Sequence, residues 1–123
     1  MKDIYTTKAP EPIGPYSQGK ETGGLVFLSG QVAIDPETGV FESGDIAVQT
    51  ERVCRNIGRV LEAAGITFEN VIKTTCFLTE ADDFQKFNET YSKYFTSCPA
   101  RSCVFVRALP KNALVEIEAV AET

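Results

Sequence analysis

A two-layer α+β sandwich, with a mixed β-sheet and two helices on one face, is the fold class predicted by this sequence of 123 residues. Three observations lead there. Segments rich in β-branched and apolar residues alternate with two amphipathic stretches of helical period. Their order along the chain is strand, helix, strand, helix, strand, strand. The length suits one domain of ordinary size, roughly 100–150 residues, so 1–123 is read as a single domain.

The first strong strand covers residues 25–33, entered through the turn chemistry of Gly23-Gly24 and closed at Asp35-Pro36-Glu37-Thr38-Gly39,. A helix follows from Asp45, a suitable N-cap, to Gly65, a suitable C-terminal stop. Within it Ile46, Val53, Ile57, Val60, Leu61 and Ala64 recur at three- and four-residue steps, which buries one stripe,. Residues 71–78 read as a second strand. A second helix spans 82–95, with Phe84, Phe87, Tyr91, Tyr94 and Phe95 at helical spacing and Asp82 and Asp83 at its positive end,. An aromatic stripe of this kind is read as core. Residues 101–108 and 114–120 both alternate, and the segment 109–113 between them makes a hairpin the expected arrangement.

Alternation assigns faces within each strand. Val26, Leu28 and Val32 oppose Leu25, Phe27, Ser29 and Gln31. Arg101, Cys103, Phe105 and Arg107 share one face, as do Val115, Ile117 and Ala119, the latter opposed to Glu116 and Glu118. Two helices cover one side of such a sheet. The expected second face gathers Ser29, Gln31, Arg101, Cys103 and Glu116 among Leu25, Phe27 and Phe105. Pattern alone leaves two readings of that face open. It is either a solvent face with cross-strand ion pairs such as Arg107–Glu116, or a surface shared between subunits, its polar residues lining a pocket.

Composition narrows the chemistry. The chain has no histidine, so Ser-His-Asp and Cys-His nucleophile systems and histidine-containing zinc sites are excluded,. Twelve basic and seventeen acidic residues leave a net charge of −5. That argues against nucleic acid as a partner, because phosphate neutralisation dominates such affinity. Arg52, Arg55 and Arg59 are read as a solvated helix face. Cys54, Cys76, Cys98 and Cys103 have no metal-ligand spacing; Cys54 and Cys76 are read as small core residues,. No apolar run reaches membrane-spanning length and the start lacks a signal-peptide pattern, so a cytoplasmic, reducing location is expected.

Several blocks carry a family resemblance. Ile13-Gly14-Pro15-Tyr16-Ser17-Gln18, Phe27-Leu28-Ser29-Gly30-Gln31, Gln49-Thr50 with Asn56-Ile57, Val60-Leu61-Glu62-Ala63-Ala64-Gly65 and the stretch 84–95 come first. Pro99-Ala100-Arg101-Ser102-Cys103-Val104 follows, then Leu109-Pro110-Lys111 and Val115-Glu116-Ile117-Glu118-Ala119. In this order, and over essentially the whole chain, they resemble the reactive-intermediate deaminase (RidA, YjgF-like) family. The resemblance implies a chorismate-mutase-like fold and a homotrimer with ligand pockets between subunits. It implies hydrolysis of 2-imino acids, in equilibrium with 2-aminoacrylate and 2-aminocrotonate, to 2-oxo acids and ammonia, with neither cofactor nor metal. By the same match Arg101 holds the substrate carboxylate and Glu116 positions or activates water. Cys103 lines the pocket and binds through its backbone, while Tyr16 and Ser29 lie at the pocket edge. The sequence departs from the family pattern at Phe105, commonly acidic, and at Arg107-Ala108, commonly Ala-Arg. The family also includes ligand-binding members without deaminase activity and members called endoribonucleases or translation inhibitors.

Overall fold

A computed structural model describes residues 1–123. Six strands form one sheet: β1 (Lys2–Ile4), β2 (Gly19–Thr22), β3 (Leu25–Gln31), β4 (Val71–Leu78), β5 (Ala100–Phe105) and β6 (Val115–Glu122). The two helices are α1 (Ile46–Ala63) and α2 (Phe84–Tyr91). The sheet order is β1-β2-β3-β6-β4-β5, with β4 and β5 parallel and every other neighbour pair antiparallel. The α+β class, the mixed sheet and the two helices on one face are thus as the sequence predicts.

Helix α1 starts where expected. The Asp45 carboxylate accepts a hydrogen bond from Val48 N at 3.0 Å, satisfying one free N–H of the first turn,. It ends at Ala63, and Gly65 follows in the left-handed region with φ 77°, where a side chain would be strained,. Its buried stripe includes Ile46, Val53, Cys54, Ile57, Val60 and Leu61. These pack on Val26, Leu28, Cys76, Leu78, Val115, Ile117 and Ala119 of the sheet, all buried in the same cluster. Burial of such side chains, at about 1.5–3 kcal/mol each, is what holds the two layers together. Helix α2 is shorter than the 82–95 expected: a 3-10 turn (Ala81–Asp83) precedes it and turns carry the chain on to Phe95. Its aromatic stripe is core, with Phe87 and Phe95 buried and Tyr91 stacked on Phe95 at 4.3 Å.

The expected hairpin of 101–108 with 114–120 does not form. Strand β5 lies parallel to β4 at the sheet edge, and β6 inserts between β3 and β4. The physical reason is the crossover. Parallel neighbours require a long connection, and α2 supplies it between β4 and β5. The segment that follows, with Lys111 at φ 62° and Asn112 at φ 54°, then carries the chain away from β5 to the sheet centre. Strand β6, whose Val115, Ile117, Ala119 and Ala121 are all buried, takes the central position.

Two short strands, β1 and β2, were not foreseen. They extend the sheet at the far edge, with Lys20 paired to Asp3 across them.

Candidate functional site

The edge strand β5 carries the first group of residues. In the parallel register Thr74, Cys76 and Leu78 of β4 align with Arg101, Cys103 and Phe105. Because Thr74, Cys76 and Leu78 are buried beneath the helices, Arg101, Cys103 and Phe105 lie on the helix side of the sheet. This corrects the face assignment from alternation, which grouped Arg101 and Cys103 with Glu116. Alternation relates residues within a strand; the pairing partner decides the side, and β5 pairs with β4 instead of β6.

Arg101 is half-buried and held from several directions. Its Nη1 donates to Asn88 Oδ1 at 2.8 Å. The guanidinium carbon sits 4.9 Å from the Tyr91 ring centroid and 5.8 Å from those of Phe84 and Phe87. Such cation–π contacts are worth about 0.5–2 kcal/mol depending on desolvation. Tyr91 is itself fixed by a 2.7 Å hydrogen bond between its hydroxyl and that of Thr74, and burial pushes its phenol up to about 12. Arg101 belongs to none of the chain's ion pairs. A guanidinium positioned by an amide and three rings, with no carboxylate of its own, is arranged to receive an anion.

Asn88 was not singled out by sequence reasoning. It sits one step from Phe87 inside an aromatic stripe, and its only signal was a polar residue beside that stripe at helical spacing from Tyr91.

Cys103 is partly buried, and burial raises its thiol while nearby Arg101 opposes the shift. The group therefore remains a thiol at neutral pH. Val106 N–H donates to Leu78 O at 2.8 Å. By alternation the N–H groups of Arg101, Cys103 and Phe105 point to the open sheet edge. The main chain at Cys103 thus offers a free donor next to the Arg101 guanidinium.

The second group surrounds a β-bulge in β3. Leu28 pairs with Ala119 but Gln31 with Ile117, so one extra residue is accommodated at Ser29–Gly30,. The bulge reverses alternation, and Gln31, expected on the open face, is buried at 7% exposure on the helix side. Ser29 stays on the open face. Its hydroxyl donates to Ser17 O at 2.6 Å, and its N–H to Gln18 O at 3.0 Å. Gln18, buried, accepts from Thr6 N and donates to Thr6 O and Pro10 O. These bonds pin the loop that presents Tyr16, which is 46% exposed and whose hydroxyl accepts from Ile13 N at 3.2 Å.

Glu116 lies on the same open face, paired across with Phe77. Its carboxylate rests on the bulge: a Cβ built on Gly30 would stand only 2.9 Å from Glu116 Cδ and nearer still to Oε2. With the carboxylate in this position only glycine leaves room there. Burial, and secondarily the neighbouring Glu118 charge, push the Glu116 carboxyl above its ordinary value of 4.5. It too has no ion-pair partner within the chain.

The structure therefore places Ser29 and Glu116 on one side of the sheet, with the Tyr16 loop tied to Ser29 through Ser17 O and Gln18 O, and Arg101 and Cys103 on the other. Strand β6 is two strands from β5, about 10 Å at ordinary strand spacing, with the sheet itself between the side chains. Within one chain the two groups of candidate residues therefore stay apart. A surface cleft of about 940 Å³ lies elsewhere, along the outer side of α1 among Arg52, Arg55, Arg59, Phe68 and Tyr94. Its arginines are paired with Glu42, Glu51 and Glu62; Arg55 and Arg59 are exposed as expected of a solvated face, whereas Arg52 is mostly buried beside Glu42 and Asp35. No group of three or more Cys, Asp or Glu side chains is placed to hold a metal ion, and no helix is long and apolar enough to cross a membrane.

Comparison with known proteins places this geometry. Residues 6–123 match the sequence model described as Endoribonuclease L-PSP. A RutC family protein of Pyrococcus abyssi is 52% identical over 119 residues, covering 96% of this chain and 94% of that one. The 2-iminobutanoate/2-iminopropanoate deaminase of mouse is 46% identical over 121 residues, covering 98% and 90%. The crystal structure of E. coli TdcF with bound serine superposes with a TM-score of 0.95 at 40% identity, covering 100% and 99%. The chain belongs to the RidA (YjgF-like) family, the family of the Endoribonuclease L-PSP sequence model.

Proposed function

We propose that this protein is a 2-imino acid deaminase, hydrolysing 2-aminoacrylate- and 2-aminocrotonate-type intermediates to 2-oxo acids and ammonia. The observation that carries the reading is Arg101, a half-buried guanidinium braced by Asn88 and Tyr91 with no anion of its own. The name of the mouse relative and the amino acid bound by TdcF agree with a ligand bearing an α-carboxylate.

Arg101 takes that carboxylate through its two-pronged fork, and the Cys103 N–H on the open edge takes a further ligand oxygen. Glu116, Ser29 and Tyr16 come from a second copy of the chain, because in one chain Glu116 and Ser29 face the other side of the sheet, with the Tyr16 loop tied to Ser29. The assembly that brings the two groups together is the homotrimer implied by the family resemblance. Phe27 and Val104, 44% and 42% exposed on the open face, give that assembly apolar surface to bury,.

The chemistry balances with water alone. The protonated imine carbon is electrophilic. A water held by Glu116 adds its oxygen there and gives its proton to the carboxylate. The tetrahedral carbinolamine then takes that proton from Glu116 onto its nitrogen and expels ammonia as its hydroxyl proton passes to the carboxylate, leaving the 2-oxo acid. The last proton leaves with the ammonia as ammonium. A carboxylate with a raised pKa is a better proton acceptor than an ordinary one, and fixing the acid end orients the carbon for attack. Free imines hydrolyse unaided, so positioning and one base suffice. The net charge of −5 and the pairing of the α1 arginines with Glu42, Glu51 and Glu62 weigh against the ribonuclease reading,.

The test supplies imines with an L-amino-acid oxidase and follows their loss in competition with semicarbazide. Faster hydrolysis with the wild type, lost in a folded Arg101→Ala variant, supports the reading; equal rates with and without the protein contradict it.

A further inference from the structure

Along the helix side of β5, Arg101, Cys103 and Phe105 occupy successive period-two positions,. Phe105 is 50% exposed, and Phe84 at the start of α2 is 38% exposed. Their rings meet edge to face, with centroids 6.0 Å apart. The Phe84 centroid is in turn 5.8 Å from the Arg101 guanidinium carbon. An unneutralised cation and two accessible aromatic rings thus make one continuous strip. Such a strip complements an amphiphile with an anion at one end and apolar carbon at the other. The cation settles the occupant: a ligand that places its carboxylate on Arg101 has its next atoms at the rings.

We propose that Phe84 and Phe105 form the side-chain subsite of the Arg101 pocket, so that among the 2-imino acids the protein hydrolyses, those with large apolar side chains are favoured over the smaller ones derived from alanine or 2-aminobutyrate. This rests on the deaminase reading above and names the substrate class within it. Two parallel N–H···O bonds put a carboxylate carbon about 4 Å from the guanidinium carbon and the β-carbon, two bonds further out, at about 6 Å, a reach comparable to the 5.8 Å between that carbon and the Phe84 centroid. Only γ- and δ-carbons extend to Phe105. Side chains of leucine or phenylalanine size therefore contact both rings, whereas a methyl contacts one.

The experiment measures kcat/KM on imines generated in place from alanine, 2-aminobutyrate, leucine and phenylalanine, for wild type, Phe105→Ala and Phe105→Leu. The corresponding 2-oxo acids are titrated against each protein by calorimetry. The wild type is expected to favour the leucine- and phenylalanine-derived imines over the alanine-derived one by about tenfold or more, the discrimination typical of a methylene or two in an apolar pocket. Phe105→Ala should reduce that ratio about tenfold and Phe105→Leu should retain most of it. The position is half-exposed on an edge strand, and the leucine variant keeps the comparison open if the alanine variant folds poorly. Turnover with no size preference, or a ratio unmoved in both variants, overturns the subsite and leaves the deaminase reading standing; a neighbouring copy covering Phe105 would give that result. Absence of turnover with the same size preference in 2-oxo acid binding overturns the deaminase reading and supports the subsite. Neither turnover nor binding overturns both.

Discussion

Arg101 and Glu116 leave the sheet on opposite faces, with strand β4 between the strands that carry them. Each is half-buried and neither has an ion-pair partner in its own chain. A chemistry that needs both must take them from two copies, and the consequences below test the parts of that account.

Glu116 rests against the bulge at Gly30, so Gly30→Ala should displace the carboxylate by pushing on the end of a flexible side chain. The stability cost should be small, under about 1–3 kcal/mol, while kcat falls. Combined with Glu116→Gln, the effects on kcat should not add, because both changes act on one carboxylate. Steady-state kinetics with thermal melts on the three variants check this.

Asn88 positions the Arg101 fork. Asn88→Ala removes a charge-assisted hydrogen bond of about 1.5 kcal/mol, so kcat/KM for an imino acid should fall roughly tenfold. The loss should appear mainly in KM, since the bond serves carboxylate binding. A fall confined to kcat would contradict the assignment.

The Glu116 carboxyl titrates above 4.5 because it is half-buried beside Glu118. As the proposed base it must be ionised, so activity should fall as pH drops, with its inflection above the ordinary carboxylate value. The sign for stability is opposite to that of a salt-bridged acid. With the folded pKa raised, the folded state binds the proton more tightly, and stability decreases as pH rises through the interval above 4.5. Glu116→Gln should therefore melt no lower than wild type at pH 7, with any gain vanishing below pH 4.5. Melting curves across that range measure it.

Asn56 is a buried residue of α1 whose side-chain amide donates to Val32 O at 3.3 Å and Ile34 O at 3.0 Å. Asn56→Ala would leave the Ile34 carbonyl without this donor, at roughly 1–3 kcal/mol, and take one of two donors from Val32 O, which also accepts from Ile34 N at 2.8 Å. Denaturant unfolding should show a loss of a few kcal/mol, the largest among these variants.

The physics behind what could be read from sequence is visible in particular residues. Helix α1 was legible because Asp45, Gly65 and the stripe between them are local signals. Strand β4 was legible from its β-branched run. Strands β1 and β2, with Lys2, Asp3, Lys20 and Glu21 at a sheet edge, have no apolar run to announce them. Alternation correctly separated Glu116 from Ile117 and Arg101 from Ser102. It did not relate Arg101 to Glu116, since that depends on β5 pairing in parallel with β4, a non-local outcome of the α2 crossover. The bulge at Ser29–Gly30 likewise reversed the side assigned to Gln31. The five candidate residues were readable through family resemblance; their separation into two groups became visible only with the sheet order.

Subunit complementation tests the central claim most directly. Arg101→Ala and Glu116→Gln, each inactive alone, are co-expressed in equal amounts and the mixed oligomers assayed for imine hydrolysis. If each site takes Arg101 from one copy and Glu116 from another, random mixing in a trimer restores about a quarter of wild-type turnover. Mixed oligomers as inactive as the two separate variants would contradict a site built between copies.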